Sequence, residues 1–65
     1  MNLKEIGLAL KNRRKELELT QQEVSDLAEV NINTLVAIER GSGNPLLKSV
    51  IEVAGVLGME IILNK

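Results

Sequence analysis

The 65-residue chain lacks cysteine, histidine and all three aromatic residue types. Without cysteine it forms no disulfide and has neither a thiolate metal ligand nor a cysteine nucleophile. Without histidine it lacks the commonest metal ligand and the commonest general base. Without aromatic rings it is poorly suited to read single-stranded nucleic acid by stacking bases on side chains. The composition therefore predicts a protein that is not an enzyme and that holds no metal and no cofactor.

The chain also lacks an apolar run of the ~20 residues that a membrane span needs, and it shows no secretion signal. We therefore expect a cytoplasmic protein that does not bind a membrane. Its hydrophobic fraction of 45% and charged fraction of 26% are typical of one globular domain. The net charge of -1 disfavours a sequence-blind polyanion binder. A near-neutral total can conceal a basic face, however, and four cations do cluster, at Lys11, Arg13, Arg14 and Lys15.

Hydrophobic periodicity predicts four helices. They cover residues 3–17, 20–28, 31–40 and a last stretch from 46 or 47 to 57. Thr20 and Glu23 have the spacing of a capping box at the start of the second helix. Asn31 is a good N-cap for the third, and Gly41 suits the left-handed residue that closes it. Residues 41–45 are rich in glycine and end in proline, which predicts a loop.

The last stretch of the chain, behind Gly58, is a β-branched run that predicts a short strand over residues 59–63. A lone strand of this length cannot satisfy its backbone hydrogen bonds, so it either lies on the helical core or pairs with another chain. Pairing with the same strand of a second copy would satisfy both edges. The candidate dimerisation residues are Met59, Ile61, Ile62 and Leu63. We therefore divide the chain into a domain, residues 1–58, and a strand or tail, residues 59–65.

The second and third predicted helices are separated only by residues 29–31, which is a helix-turn-helix layout. In such a motif the second helix lies in the DNA major groove and the first crosses the backbone. An ordered series of motifs surrounds it, comprising Leu19-Thr20-Gln21-Gln22-Glu23-Val24, Val30-Asn31, Thr34-Leu35, Ile38-Glu39-Arg40-Gly41, Asn44-Pro45 and Leu57-Gly58. Together these motifs resemble the Xre/Cro/phage-repressor helix-turn-helix family, over about residues 6–58.

The resemblance implies an all-α fold, a compact lambda-repressor-like bundle of four to five helices, to which the predicted C-terminal strand is added. It also implies binding of operator DNA as a dimer. Carried over position by position, Arg14 and Glu39 match a structural ion pair, and Gln21 matches a contact to a backbone phosphate. Residues 31–40 match the recognition helix, and its candidate base-contacting residues are Ile32, Asn33, Val36 and Ala37.

Side-chain chemistry gives each of these assignments an alternative. Gln21 would meet a phosphate at the positive end of a helix dipole, or it is an exposed residue without a contact. Asn33 offers the donor and acceptor that adenine recognition needs, or it is merely solvated. The apolar Ile32, Val36 and Ala37 can touch a thymine methyl group but carry no hydrogen-bond code. Alternatively they pack on a protein partner, and base discrimination is then weak or depends on DNA shape.

The remaining candidate contacts are to the DNA backbone. For any single lysine the simpler interpretation is a solvated helix face, but the set lies beside the helix-turn-helix. The candidates for phosphate contact are Lys11, Arg13, Gln21, Arg40, Ser42 and Asn44.

Two positions depart from the family, since Glu18 and Glu29 stand where glycine is usual. A residue other than glycine takes the left-handed conformation only at a cost in free energy. The sequence therefore leaves the angle between the second and third helices undetermined.

The sequence therefore predicts a sequence-specific, double-stranded DNA-binding transcriptional regulator, a repressor that binds a palindromic operator as a homodimer. Two alternatives stay open. One is an antitoxin that binds DNA and also captures a toxin. The other is a protein-interaction module that keeps the fold with weak or no DNA binding, an interpretation favoured by the net charge of -1 and the apolar face of the third helix.

Overall fold

The computed structural model describes residues 1–64, and its regular structure is four helices joined by short connections. Helix α1 covers Leu3–Glu16, α2 covers Gln21–Ala28, α3 covers Ile32–Arg40 and α4 covers Leu47–Val56. The predicted all-α, four-helix class is confirmed, and the predicted helix ends agree with these bounds to within one residue. Within residues 1–64 none of these helices is long and apolar enough to cross a membrane.

Local hydrogen bonds explain where the helices begin and end. The Thr20 hydroxyl accepts from the Glu23 N–H at 3.0 Å, and the Glu23 carboxylate accepts from the Thr20 N–H at 2.9 Å. Hydrogen bonding of the Glu23 carboxylate to the Thr20 backbone, and secondly to the Thr20 side chain, holds the pKa of Glu23 below its ordinary value. At the start of α3, the Asn31 side chain accepts from the Asn33 N–H at 2.8 Å. Gly41 closes α3 with φ of 69°. The capping signals therefore act as the sequence predicts.

The core lies where α2, α3 and α4 meet. Its central side chains, each under 2% exposed, are Val24, Leu35, Val53 and Leu57. Helix α2 packs against α4 and α3, whereas α1 packs chiefly against α3. Burying one Leu or Val side chain contributes about 1.5–3 kcal/mol, so this cluster supplies most of the stability of so short a chain.

Helices α1 and α3 touch through their main chains. Gly7 is buried in α1, and a Cβ atom added there would overlap the Ile38 carbonyl oxygen and lie 2.9 Å from that of Glu39. A Cβ atom added at Gly41 would lie 2.5 Å from the Cα of Lys4. Glycine within a helix costs about 0.5–1 kcal/mol relative to alanine. Here it allows α1 to lie directly on the last turn of α3, which fixes the orientation of α3.

The two glutamates that replace glycine both adopt the left-handed conformation. Glu18 has φ of 58° and Glu29 has φ of 55°. Backbone bonds close both turns, since Leu19 N–H donates to Arg14 O at 3.1 Å and Val30 N–H donates to Ser25 O at 3.0 Å. The turn geometry is therefore formed without glycine, at a cost of about 1–2 kcal/mol for each residue.

The predicted C-terminal strand is not formed within residues 1–64. Met59 N–H donates to Ala54 O at 2.9 Å and so ends α4, and residues 60–64 make no backbone hydrogen bond to the rest of the described chain. The physical reason is that a strand needs a neighbouring edge, and a bundle of helices offers none. Met59 and Ile61 instead pack against the core, while Ile62 and Leu63 are exposed. The last residue of the predicted tail, Lys65, lies outside the described residues.

Candidate nucleic-acid interface

Arg14 of α1 and Glu39 of α3 form a two-pronged ion pair. The Arg14 Nε lies 2.7 Å from Glu39 Oε2, and Nη2 lies 3.0 Å from Oε1. A third bond runs from Arg14 Nη1 to the carbonyl oxygen of Leu19 at 2.9 Å. Both charged residues are buried, at 9% and 7% exposed. The pair therefore ties α1, α3 and the connection before α2 together at one point.

The surroundings of Glu39 keep its carboxylate ionised. Burial by itself raises the pKa of Glu39, but hydrogen bonds from Arg14 and Gln21 and the charges of Arg14 and Lys11 lower it, and the net pKa lies below the ordinary value. The same hydrogen bond raises the pKa of Arg14, against the effect of its burial. Both partners are therefore charged at neutral pH, and Lys11 lies close enough to act on Glu39.

Gln21, the first residue of α2, belongs to this cluster. Its side-chain Nε2 donates to Glu39 Oε1 at 3.0 Å, so the amide is neither idle nor free to turn. The main-chain N–H groups in the first turn of a helix have no partner within that helix. Gln21 therefore presents an oriented helix start that is joined to Glu39 of α3. The bond to Glu39 joins residues 18 positions apart, a separation at which sequence periodicity gives no signal.

Helix α3 has one buried face and one open face. Leu35, Ile38 and Glu39 are buried, whereas Asn33 and Arg40 are exposed. The other candidate base-contacting residues, Ile32, Val36 and Ala37, are half-buried. The four candidates thus share the open face, and the two large apolar ones are partly covered by the chain itself.

The sequence of this chain is similar to those of known proteins. A family model described as helix-turn-helix matches residues 10–63. The immunity repressor protein of Bacillus phage phi105 is 38% identical over 56 residues, which make up 86% of this chain and 39% of that repressor. An uncharacterised HTH-type transcriptional regulator of Methanothermobacter thermautotrophicus is 38% identical over 53 residues, or 82% of this chain and 77% of its own. The chain belongs to the Xre/Cro/phage-repressor helix-turn-helix family. Proteins of this family are DNA-binding transcriptional regulators.

In a helix-turn-helix protein α2 and α3 are the motif helices, and α3 is the recognition helix. The loop after it, residues 41–46, turns back along its open face. A shallow depression of about 280 Å³ results, lined by Asn33, Thr34, Ala37, Asn44 and Pro45. Asn44, predicted to contact a phosphate, thus lies at the same depression as Asn33. Thr34 and Pro45 were not predicted as site residues, because their place depends on how the loop folds back.

The predicted phosphate-contacting cations of this helix-turn-helix domain lie in different places. Lys11 lies near Glu39, and Arg40 is exposed at the end of the recognition helix. Arg13 is engaged elsewhere, because its Nε donates to Leu57 O at 3.2 Å and its Nη1 to Glu16 at 3.3 Å. The structure therefore joins Gln21 to Glu39, and it places the Arg13 guanidinium at the end of α4. Ser42 is exposed, with its hydroxyl 3.5 Å from the carbonyl oxygen of Ala37.

Proposed function

We propose that the chain represses transcription by binding double-stranded operator DNA through α3. The observation that carries this proposal is the contrast between the two faces of that helix. Its inner face is fixed by the Arg14–Glu39 pair and by the main-chain contact at Gly7, while its outer face is open. The major groove of B-DNA, about 12 Å wide, admits an α-helix presented in this way.

Phosphate contacts in this proposal come from both sides of the recognition helix. On one side, the start of α2 at Gln21 supplies oriented N–H groups and the positive end of a helix dipole, and Lys11 adds a cation. On the other side lie Arg40 and Ser42. Since the net charge is -1, these local groups must supply the attraction to DNA. Few phosphates are then neutralised, and the dependence of affinity on salt is shallow.

Base contacts come from the open face of α3. Asn33 is exposed in the first turn of the helix, and its amide can donate to and accept from one adenine edge. The apolar side chains of Ile32, Val36 and Ala37 can contact thymine methyl groups. These four side chains match A·T pairs better than G·C pairs, since none of them is an arginine or lysine that could bind guanine; Arg40, at the end of the helix, is assigned to a phosphate.

A homodimer would bind a palindromic operator, and an apolar groove offers a surface on which two copies could pair. A groove of about 640 Å³ runs between the start of α1, α4 and the tail, and it is apolar over most of its lining. Leu47, Ile51 and Leu63 border it and are 67%, 52% and 81% exposed. A second copy that packed against these side chains would remove their apolar surface from water. A second copy covers this groove by two-fold symmetry and sets two recognition helices about 34 Å apart, one turn of duplex.

Selection of duplexes from a random pool, followed by titration at several salt concentrations, tests the proposal. Asn33→Ala should reduce the preference for one base pair, whereas Lys11→Ala should weaken all sequences alike and reduce the salt slope by about 0.9. Lys48→Ala is the matched control, since Lys48 lies on α4 with its side chain 84% exposed. It should leave binding unchanged.

A second candidate function follows from the same groove. If it is occupied by another protein instead of a second copy, the domain is an interaction module or an antitoxin that captures a toxin. Absence of duplex binding at low salt, in a correctly folded protein, overturns the regulator proposal and leaves the interaction module. DNA binding by a protein that sediments as a monomer overturns only the homodimer.

A further inference from the structure

The depression beside α3 lies between that helix and the loop that follows it, and backbone hydrogen bonds fix the position of the loop relative to the helix. Gly41 N–H donates to Ile38 O at 3.0 Å, and Ser42 N–H donates to Ala37 O at 3.1 Å. These two bonds set the direction in which the loop leaves the helix. Further along, Pro45 fixes its own φ and restricts the residue before it, Asn44, to an extended backbone. The position of Asn44 beside α3 is therefore defined by the backbone.

The lining of the depression has two kinds of surface. Thr34, Ala37 and Pro45 are half-buried and mostly apolar, while Asn33 and Asn44 are exposed amides. None of the five carries a charge. A contact of arginine or lysine with guanine, the commonest specific contact in the major groove, is therefore not available from this lining.

One kind of base pair presents the complementary surface. In the major groove an A·T pair shows the N7 acceptor and N6 donor of adenine, and beside them the 5-methyl group of thymine. An asparagine amide matches the adenine edge, and an apolar recess matches the methyl group. A G·C pair has no methyl group, so it leaves the recess unfilled. The combination of amide and recess is therefore selective for A·T.

We propose that Asn44 is a second base-reading residue, and that the depression takes the edge and the thymine methyl group of one A·T pair in each half-site. This inference rests on the proposed binding of operator DNA by α3. It assigns Asn44 to a base, where the sequence analysis assigned it to a phosphate. The loop after the recognition helix thereby adds to the hydrogen-bonding groups of a helix whose open face carries few of them.

Two changes test the inference on an operator selected by the full chain. Replacing each thymine in turn by deoxyuracil removes only the methyl group, and the thymine at the base pair where Asn44→Ala acts should be among those whose loss of the methyl group costs about fourfold in affinity. Asn44→Ala should lower the preference for A·T at the same base pair by roughly tenfold. Ser42→Ala is the matched control from the same loop, and it should weaken all sequences by one common factor.

Three outcomes overturn the inference. If Asn44→Ala weakens every sequence equally, Asn44 contacts a phosphate. If no thymine responds to loss of its methyl group, the depression does not hold a base. In both cases operator binding by the wild-type chain survives, so the proposed function stands. If the wild-type chain selects no duplex at all, the proposed function fails, and the inference fails with it. A thermal melt of Asn44→Ala, expected to match the wild type because Asn44 is exposed, verifies folding.

Discussion

The Nε2 of Gln21 donates to the same oxygen of Glu39 that accepts from Nη2 of Arg14, each bond being 3.0 Å long. One buried carboxylate thus joins three helices, since Arg14 lies in α1, Gln21 in α2 and Glu39 in α3. The residue that orients α3 therefore also orients the side chain at the start of α2. Under the proposed binding of DNA, stability and phosphate contact would be linked through Glu39.

Glu39→Gln should destabilise the domain at neutral pH by about 3 kcal/mol, because it leaves the buried guanidinium of Arg14 without its counter-charge. The native pKa of Glu39 lies below its ordinary value of 4.5, so the carboxylate contributes stability above that value. This contribution is lost as the pH falls through the lowered native pKa. Urea denaturation of both proteins from pH 7 to pH 2 measures it, and their difference should shrink below about pH 4.5. A difference that stays constant to pH 2 contradicts the assignment.

Gly7→Ala should destabilise the domain by about 1–3 kcal/mol, because the added methyl group would overlap the backbone of α3. Gly55→Ala provides the matched control within α4, since a Cβ atom there would meet nothing within 4 Å. It should stabilise by about 0.5–1 kcal/mol, the ordinary gain of alanine over glycine in a helix. Thermal unfolding separates the two, and a stabilising Gly7→Ala would disprove the close contact of α1 with α3.

Glu29→Gly should stabilise the domain by about 1 kcal/mol, because glycine adopts the positive φ of 55° without strain. Glu29→Ala isolates this backbone effect. Both variants remove a negative charge from the C-terminal end of α2, where the helix dipole disfavours it, but only glycine removes Cβ. Chemical denaturation should give the glycine variant a higher free energy of unfolding than the alanine variant. Equal stabilities would mean that charge, not conformation, accounts for the gain.

If the chain forms the proposed homodimer, Ile51→Glu should convert it into a monomer, because the change places a charge in the apolar groove along α4. Sedimentation velocity at several concentrations measures the change. Leu27→Glu is the control, since Leu27 is 63% exposed on α2 and does not line the groove. The Ile51 variant should keep its affinity for an isolated half-site and lose it for the palindrome. If it stays a dimer, the interface lies elsewhere.

The sequence predicts those parts of the fold whose causes are local. Thr20, Asn31 and Gly41 act within one turn of their own positions, and for this reason the helix ends follow from composition and spacing. The family motifs add the recognition helix. The residues of the tail favour a strand, but strand formation depends on a partner edge that residues 1–64 do not supply.

Other features depend on contacts between distant residues, which spacing along the chain does not reveal. In the sequence, Gly7 is only a residue that weakens a helix. The folded chain shows that its lack of a side chain allows the close approach of α1 to the backbone of α3. The bond of Gln21 to Glu39 and the placement of Asn33 and Asn44 at one depression likewise require the folded chain. Much of the candidate site is therefore brought together by tertiary packing, which local sequence patterns do not reveal.

Where Gly7 and Gly41 lie, α1 meets the end of α3 with no side chain between the two main chains. Such a junction leaves little room for the tilt of α3 to change. In the operator complex proposed above, the duplex must therefore do the bending and twisting itself. Base pairs that the protein does not touch should then influence affinity through their stiffness, and operators should differ in strength even where their contacted bases are identical.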